Sequence, residues 1–361
     1  MLVLVHEAGH FFVAKSFGIR VDEFGFGFPP KLFGKKIGET EYTLNLLPLG
    51  GFVRIFGESP DDLPAQAGEN MNGPDANRSF VNKAKWKQAL VLLAGIFANF
   101  LLAWLLLSVG FISGFPTSVG SEPSGYKLSD VHLTVISVLA KSPAEQAGLK
   151  TGDKIISIGN DKNSTNSIDS ETIQSFVVGS GGKEIDVGYT RGENTKINLA
   201  KIIPVENTAD KKFEIGISMD MIGTVKLPIL KAFWEGARLD WSTTKGTVVG
   251  LYTLIKESLR GKGSFSEVSG PVGMVSIVGD AYKFGFVYLL SFMALISINL
   301  AVINFIPFPA LDGGRLLFLL IEKIKGSQIN PKVANTVNTI GFSVLILLML
   351  VITYHDVIKL F

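Results

Sequence analysis

The chain has 361 residues, of which 47% are hydrophobic, and its mean hydropathy is +0.35. This length accommodates two or three structural units, and this apolarity exceeds that of an ordinary soluble enzyme, so membrane segments are expected. A formal net charge of +2 gives no electrostatic footprint for nucleic acid, and the lack of cysteine excludes disulfides and thiolate metal sites.

The first apolar segment, residues 1–17, contains the sequence HEAGH from His6 to His10. Side chains four residues apart lie on one face of a helix, so the two imidazoles can bind a single ion. The pattern H-E-x-x-H is typical of two zinc ligands and a carboxylate, here Glu7, that takes a proton from zinc-bound water. Such polar groups are costly to desolvate in an apolar segment, which favours a function over a chance match.

The motif leaves the third metal ligand open. A metzincin would continue with glycine and histidine at the positions of Val13 and Ser16, so the third ligand must come from elsewhere in the chain. Only five residues precede His6, and this short lead predicts further apolar residues upstream of Met1.

Residues 18–87 carry mixed charge and many glycines and prolines. Within them, residues 42–56 contain two β-type runs around the sequence Pro48-Leu-Gly-Gly51, which predicts a β-hairpin. The edge of such a hairpin can pair with an extended peptide. A hairpin that only packs, without binding a substrate, is an equal alternative.

Three further segments have the length and apolarity of transmembrane helices: residues 88–112, 284–308 and 337–358. Together with residues 1–17 they predict about four spans. Asn99 is the strongly polar residue in the middle of the second span, where we expect it to form a hydrogen bond with a neighbouring helix.

The topology follows from the loop before the last span. It carries four cations and one carboxylate: Arg315, Lys323, Lys325, Lys332 and Glu322. The positive-inside rule places this loop in the cytoplasm. With four spans, residues 18–87 are then also cytoplasmic, and residues 113–283 lie on the opposite side.

Residues 128–204 have an α+β pattern. Ser142-Pro-Ala-Glu145 is a capping box with proline at the first helical position, and Gly148 is a natural helix stop. Strands are predicted on both sides of this helix, followed by a second helix and a hairpin. The amphipathic region at 205–283 predicts a helix that rests on the membrane or packs on the preceding domain.

A second stretch with candidate functional residues runs from Asn304 to Asp312, NFIPFPALD, and is followed by two glycines. A carboxylate at the end of an apolar span needs a partner, and the two histidines need a third ligand. Placing Asp312 against His6 and His10 satisfies both needs and leaves an open position for water.

These motifs together resemble the site-2 protease family of intramembrane zinc metalloproteases. The run SPAEQAGLKTGDKIISIGN is similar to the core of a bacterial protease PDZ domain. Within the family, the chain as a whole resembles the type of the bacterial regulator of sigma-E protease, here with a single PDZ domain. Further similar stretches are YTLNLLPLGGFVRIFGE, RSFVNKAKWKQALVLLAG and SGPVGM at 269–274. The resemblance implies a polytopic α-helical membrane protein with a membrane-associated β-hairpin and an inserted α+β PDZ-like domain.

The resemblance also implies roles for individual residues. His6, His10 and Asp312 bind Zn²⁺, and Glu7 is the catalytic acid and base. Substrate contacts are expected from Asn304 and from the hairpin, which would hold the substrate as an added strand through Gly50, Gly51, Phe52 and Val53. The chain departs from the family pattern at Ile96, which replaces the proline of the A-G-P-x-x-N-F motif. The backbone geometry around Asn99 is therefore expected to differ from that of the family.

The implied partners are the lipid bilayer and a transmembrane protein substrate, such as an anti-sigma factor or a signal-peptide remnant, and no nucleic acid. The implied location is the bacterial cytoplasmic (inner) membrane, with the PDZ-like domain on the extracytoplasmic side. Two other hypotheses stay open. One is a membrane-anchored zinc peptidase for soluble substrates, whose third ligand is Glu39 or Glu58. The other is a non-catalytic membrane adaptor that presents its PDZ-like domain.

Overall fold

The structure is a computed structural model that describes residues 1–58, 75–160, 164–165, 169–192, 196–207, 211–261, 270, 273–274, 279 and 285–359. The chain divides into two compact units. The first comprises Met1–Leu106, Ala237–Met274 and Met293–Phe361, and the second comprises Leu107–Gly236 and Val275–Phe292. Residues 269, 271 and 272 of the SGPVGM sequence and the whole of residues 59–74 lie outside the described residues.

The helices and strands follow one another in a fixed order along the chain. They are α1 (Leu2–Ser16), β1 (Val21–Ile37), β2 (Thr40–Ile55), α2 (Lys85–Ser113), β3 (Phe115–Ser118), β4 (Ser129–Val138), α3 (Pro143–Gln146), β5 (Lys154–Gly159), β6 (Ser164–Thr165), α4 (Ser170–Gly179), β7 (Ile185–Thr190), β8 (Asn198–Ile202), β9 (Val205–Glu206), β10 (Phe213–Glu214), β11 (Ile217–Val225), α5 (Ile229–Leu259), α6 (Phe286–Phe305), α7 (Asp312–Lys325) and α8 (Pro331–Lys359). Short 3-10 turns at Ala76–Arg78 and Phe80–Asn82 precede α2.

Three helices in the described part of the chain are long and apolar enough to cross a membrane. They are α2, α6 and the Pro331–Ile358 part of α8. Helix α1 has 15 residues, so its length of about 22 Å is less than the hydrocarbon thickness of about 30 Å. The protein is therefore an integral membrane protein with three evident candidate spans, where the sequence predicts about four.

The region between α1 and α2 differs from the predicted hairpin. The runs on either side of Pro48 belong to one strand, β2, and do not pair with each other around that proline. Phe24 of β1 is the register partner of both Tyr42 and Val53, so the start of β1 lies between the two halves of β2. The predicted hairpin of residues 42–56 is therefore wrong in its pairing.

Two glycines of β1 explain this arrangement. A Cβ atom added at Gly25 would lie 2.4 Å from the Phe52 ring, and one at Gly27 would lie 2.6 Å from the Leu47 carbonyl oxygen. Asn45 Nδ2 also donates to the Gly27 carbonyl at 3.1 Å. Because these glycines have no side chain, both halves of β2 can close on the same segment of β1.

One apolar cluster joins α1, the β1–β2 sheet and α2. Its buried members are Phe11, Ala14, Ile19, Val21, Ile55, Phe80, Val91 and Leu92. Burying a large aliphatic or aromatic side chain contributes about 1.5–3 kcal/mol. This cluster therefore fixes the carboxyl-terminal half of α1, and the HEAGH motif is held between the sheet and α2.

The second unit contains a seven-stranded sheet with the strand order β3-β11-β4-β5-β7-β8 and with β6 beside β5. The predicted N-cap of α3 is confirmed, since Ser142 Oγ accepts from the Glu145 amide at 3.2 Å. The capping box is incomplete, because the Glu145 carboxylate accepts from the Lys141 amide at 2.5 Å rather than from that of Ser142. Strands β7 and β8 form the predicted hairpin. The sheet also includes β3 and β11, because β11 pairs with β4 and β3 pairs with β11. Both strands lie outside the predicted limits of 128–204.

Candidate metal centre and active site

A cavity of about 460 Å³ lies where α1, the end of β2, α6 and the start of α7 meet. Helix α1 contributes His6, Glu7 and His10 to its wall, and α7 contributes Asp312. Both imidazoles are buried, with 5% and 6% of their residues' surface exposed. The structure thus brings the two motifs together, although His6 and Asp312 are 306 positions apart in the sequence.

Three side-chain atoms converge at this point. His6 Nε2 lies 2.9 Å from Asp312 Oδ2, and His10 Nε2 lies 3.2 Å from His6 Nε2 and 3.3 Å from Asp312 Oδ2. Zinc bonds of about 2.0–2.1 Å in a tetrahedron place neighbouring ligand atoms about 3.3–3.4 Å apart. The observed spacings differ from this by a few tenths of an ångström, so the donor set fits one zinc ion with two nitrogens and one oxygen.

The turn before α7 explains why Asp312 is followed by two glycines. A Cβ atom at Gly313 would lie 2.2 Å from the Ile306 carbonyl oxygen, and one at Gly314 would lie 2.2 Å from the Phe308 carbonyl oxygen. The backbone of this turn packs against itself too closely for any side chain. Asp312 is thereby held at the first position of its helix, facing α1.

Helices α1 and α2 also touch through glycine. An added Cβ atom at Gly9 would lie 2.3 Å from the Ala94 carbonyl oxygen, and one at Gly95 would lie 2.3 Å from His10 Nε2. Small residues of this kind let two helix backbones approach closely in a membrane protein. The ring of His10 therefore lies directly on the backbone of α2.

Helix α2 supplies the outer hydrogen-bond partners of both imidazoles. His10 Nδ1 donates to the Val91 carbonyl oxygen at 2.8 Å, and Asn99 Nδ2 lies 3.1 Å from His6 Nδ1. Partners of this kind orient metal-ligating histidines. The sequence predicts an inter-helix bond for Asn99, but the roles of Val91, Gly9 and Gly95 are not apparent from it. Gly95 and Asn99 are one helical turn apart in the sequence, and this spacing could have indicated the face of α2 that contacts α1.

The carboxylates proposed as alternative third ligands have other partners. Glu39 Oε1 accepts from Lys15 Nζ at 2.6 Å, and its other oxygen pairs with Arg78. These cations lower the pKa of Glu39. Glu58 lines the cavity, but its carboxylate forms an ion pair with Arg315. Among the described residues, the group that could hold a metal ion is His6, His10 and Asp312.

The residues predicted to bind substrate divide into two groups. Asn304, Phe52 and Val53 line the cavity together with the metal donors. Gly50 and Gly51 instead lie against α1, since added Cβ atoms there would meet Val3 at 3.8 Å and Leu4 at 3.4 Å. These two glycines bring β2 close to the helix that carries HEAGH.

Comparison with known proteins gives matches along the whole chain. The family model described as Peptidase family M50 matches residues 1–348. The regulator of sigma-W protease RasP of Bacillus subtilis (strain 168) is 32% identical over 100% of this chain and 96% of its own length. The zinc metalloprotease RasP of Oceanobacillus iheyensis is 31% identical over 100% of this chain and 97% of its own.

A Clostridium perfringens relative, provisionally named a zinc metalloprotease, is 35% identical over 99% of this chain and 95% of its own length. Among solved structures, the PDZ domain of the SdrC-like protein of Listeria monocytogenes matches 26% of this chain and 92% of that chain. The identity is 26% and the TM-score is 0.21.

Proposed function

This chain belongs to peptidase family M50, the site-2 protease family, and is a zinc metalloprotease; from this premise we propose that it hydrolyses peptide bonds within transmembrane segments of other membrane proteins. One observation carries the proposal. The converging side chains of His6, His10 and Asp312 share a cavity with Glu7, and α6, an apolar candidate span, forms part of its wall. Substrate segments in the bilayer therefore have a catalytic site at their own depth.

We assign the two histidines and Asp312 as the zinc ligands. Zinc held by these three residues would supply Lewis-acid chemistry, polarising the scissile carbonyl group and lowering the pKa of a water molecule. Glu7 follows His6 directly on α1 and lines the same cavity, so its carboxylate accepts a proton from the attacking water. It then donates that proton to the leaving amine nitrogen. Asn304 offers an amide N–H to the carbonyl oxygen on which negative charge develops.

The end of β2 is the proposed substrate clamp. Phe52 and Val53 line the cavity, and in the described part of the chain residues 51–54 pair with β1 on one side and with no strand on the other. A transmembrane helix hides its peptide bonds, so the substrate must unwind before it is cut. Hydrogen bonds along the open edge, each contributing about 0.5–1.5 kcal/mol, offset part of that cost.

The proposed topology has four membrane segments: α2, α6 and α8 as full spans, and α1, about 22 Å long, as a shorter fourth one. By the positive-inside rule, the basic segment between α6 and α8, which contains α7, lies in the cytoplasm. The β1–β2 sheet is then cytoplasmic, and the seven-stranded PDZ-like sheet lies outside the cytoplasm. We propose the bacterial cytoplasmic membrane as the location and a membrane-bound anti-sigma factor or a signal-peptide remnant as substrate. The name of the Bacillus subtilis relative, a regulator of sigma-W protease, supports the first of these.

The test compares Glu7→Gln and Asp312→Ala with the unaltered protein, measuring zinc content and cleavage of a model transmembrane substrate. Glu7→Gln should keep its zinc and lose about 10²–10⁴-fold in cleavage rate. Asp312→Ala should lose both zinc and activity. Glu39→Gln is the matched control, because Glu39 lies in an ion pair away from the cavity, and it should keep both.

Two outcomes would overturn the proposal. If the unaltered protein and Glu7→Gln bind the substrate alike and neither cleaves it, a non-catalytic adaptor would be favoured. Cleavage of a soluble peptide as fast as that of the transmembrane substrate, with the latter embedded in liposomes, would favour an anchored peptidase for soluble substrates.

A further inference from the structure

An ion pair joins two of the elements that meet at the cavity. Arg315 lies in the first turn of α7, three residues after Asp312, and its guanidinium pairs with the carboxylate of Glu58, just beyond the end of β2. Both residues line the cavity together with Glu7 and Asp312. The side chains of Arg315 and Glu58 are 37% and 13% exposed, and pairs that water partly screens contribute little to stability. Stability alone therefore does not explain a charged pair at this position.

The turn after β2 fixes the position of Glu58. Gly57 has a φ of +73°, and a Cβ atom there would lie 2.0 Å from Ser79 Oγ. Such a backbone conformation with so little room favours glycine. The Glu58 amide donates to the Ile55 carbonyl oxygen at 3.1 Å, which closes the turn directly after the strand. Glu58 is thereby tied to residues 51–54, the proposed substrate clamp.

The other end of the ion pair is tied to a metal donor. The Arg315 amide donates to the Leu311 carbonyl oxygen at 3.2 Å, within the turn that contains Asp312. The close backbone contacts of Gly313 and Gly314 hold this turn in place. The ion pair therefore connects the turn that carries Asp312 to the turn that ends the substrate clamp.

Helix α7 and the end of β2 also meet through apolar side chains. Leu316 and Leu319 of α7 pack against the apolar cluster that contains Ile55, the last residue of β2. Apolar burial is non-directional, so this contact stabilises the packing without specifying an exact position. A charge-assisted hydrogen bond depends on distance and angle. Of these two contacts, the ion pair is the one that specifies where the end of β2 lies relative to Asp312.

We propose that Arg315 and Glu58 are positioning residues, which hold the substrate clamp at the distance from the metal donors that cleavage requires. The scissile carbonyl group of a peptide paired with residues 51–54 must lie beside the metal donors and Glu7 at the same time. A misplacement of about 1 Å can cost about 10²-fold in rate. The ion pair acts through β2 and α7 and not on the scissile bond itself. The inference rests on the proposed function and its substrate clamp.

The test measures kcat, KM, zinc content and the midpoint of thermal unfolding for full-length variants with a transmembrane substrate. Glu58→Ala should lower kcat about 10–100-fold at unchanged KM and zinc content, because the substrate still binds but is misplaced. Arg315→Gln should do the same. The double variant should lose no more than either single variant, because both substitutions remove the same contact. If Arg315→Gln fails to fold, Arg315→Lys, which keeps the charge, should lose less than Glu58→Ala.

Glu322→Ala is the matched control. Glu322 lies near the other end of α7 and pairs with Lys85 of α2, and its side chain is 14% exposed, close to the value for Glu58. This variant should lose at least as much thermal stability as Glu58→Ala and keep its kcat. A second measurement uses Glu7→Gln, which should bind the substrate without cutting it. Adding Glu58→Ala to that variant should leave the substrate dissociation constant unchanged.

Equal losses of kcat in Glu58→Ala and Glu322→Ala would show a purely structural ion pair and overturn this inference alone. Losses that multiply in the double variant, or a weaker substrate affinity at unchanged kcat, would also overturn it alone. Absence of cleavage by the unaltered protein would overturn the proposed function and this inference with it.

Discussion

The substitution Gly9→Ala tests whether α1 and α2 must touch through their backbones to build the metal site. The added methyl group would lie 2.3 Å from the Ala94 carbonyl oxygen, about 1.1 Å closer than an ordinary contact of 3.4 Å. It would also lie 2.9 Å from Ala98 Cβ. Both obstacles belong to rigid helix atoms, so the two helices must separate by about 1 Å.

That separation acts on the hydrogen bonds between α2 and the imidazoles. The bonds from His10 to Val91 and between Asn99 and His6 are 2.8 and 3.1 Å long, and about 1 Å more takes both beyond hydrogen-bonding distance. A misplacement of about 1 Å in an active site can cost about 10²-fold in rate. Overpacking of this kind also costs about 1–3 kcal/mol of stability.

The assay follows cleavage of a labelled transmembrane substrate in detergent micelles, alongside zinc content and the midpoint of thermal unfolding. Gly9→Ala should lose about 10²-fold in cleavage rate and bind zinc more weakly. Gly246→Ala is the matched control, since it lies in helix α5 and nothing is within 4 Å of the added methyl group. It should cleave normally and gain up to about 1 kcal/mol of stability. A Gly9→Ala protein with normal rate and zinc affinity would refute the close contact of the two helices.

Three further substitutions test other parts of the structure. Proline at Phe52 or Val53, whichever N–H points away from β1, should slow cleavage at unchanged zinc content; an equal effect on substrates with and without helix-breaking residues would show that β2 only packs. Gly313→Ala should displace Asp312, because its methyl group would lie 2.2 Å from a backbone carbonyl, and a normal zinc content would contradict this. Burial raises the pKa of Asp240 to about 6, so the folded state keeps a proton that the unfolded state releases, and stability should fall as pH rises from about 4 to about 6. Asp240→Asn should flatten that part of the thermal-unfolding profile, and an unchanged slope would refute the assignment.

The chemistry of the metal site could be predicted from sequence because its residue types and spacing are unusual in an apolar chain. Two histidines four residues apart lie on one face of any helix, whatever its surroundings. A carboxylate after an apolar span has few possible partners, so the sequence predicts Asp312 as the third donor, and the structure places it with His6 and His10. The family predicted from these motifs is confirmed by the match to Peptidase family M50.

Strand pairing could not be predicted in the same way. Residues 42–56 have the alternation of two strands, but alternation gives no information about which strand is the neighbour. The partner of both halves of β2 is the start of β1, which is possible because Gly25 and Gly27 leave room for them. For the same reason the sequence does not indicate that β11 pairs with β4, which lies about 80 residues earlier in the chain.

The sequence by itself determined the membrane character, the apolar segments and the candidate metal-binding residues, because these depend on local composition and spacing. Only the tertiary structure decided which groups surround those residues. Gly9 against Ala94, Gly95 against His10 and Asn99 beside His6 are contacts between different helices, set by how closely two backbones can approach. Such contacts depend on the rotation and distance of whole helices, and no pattern within a single helix specifies either.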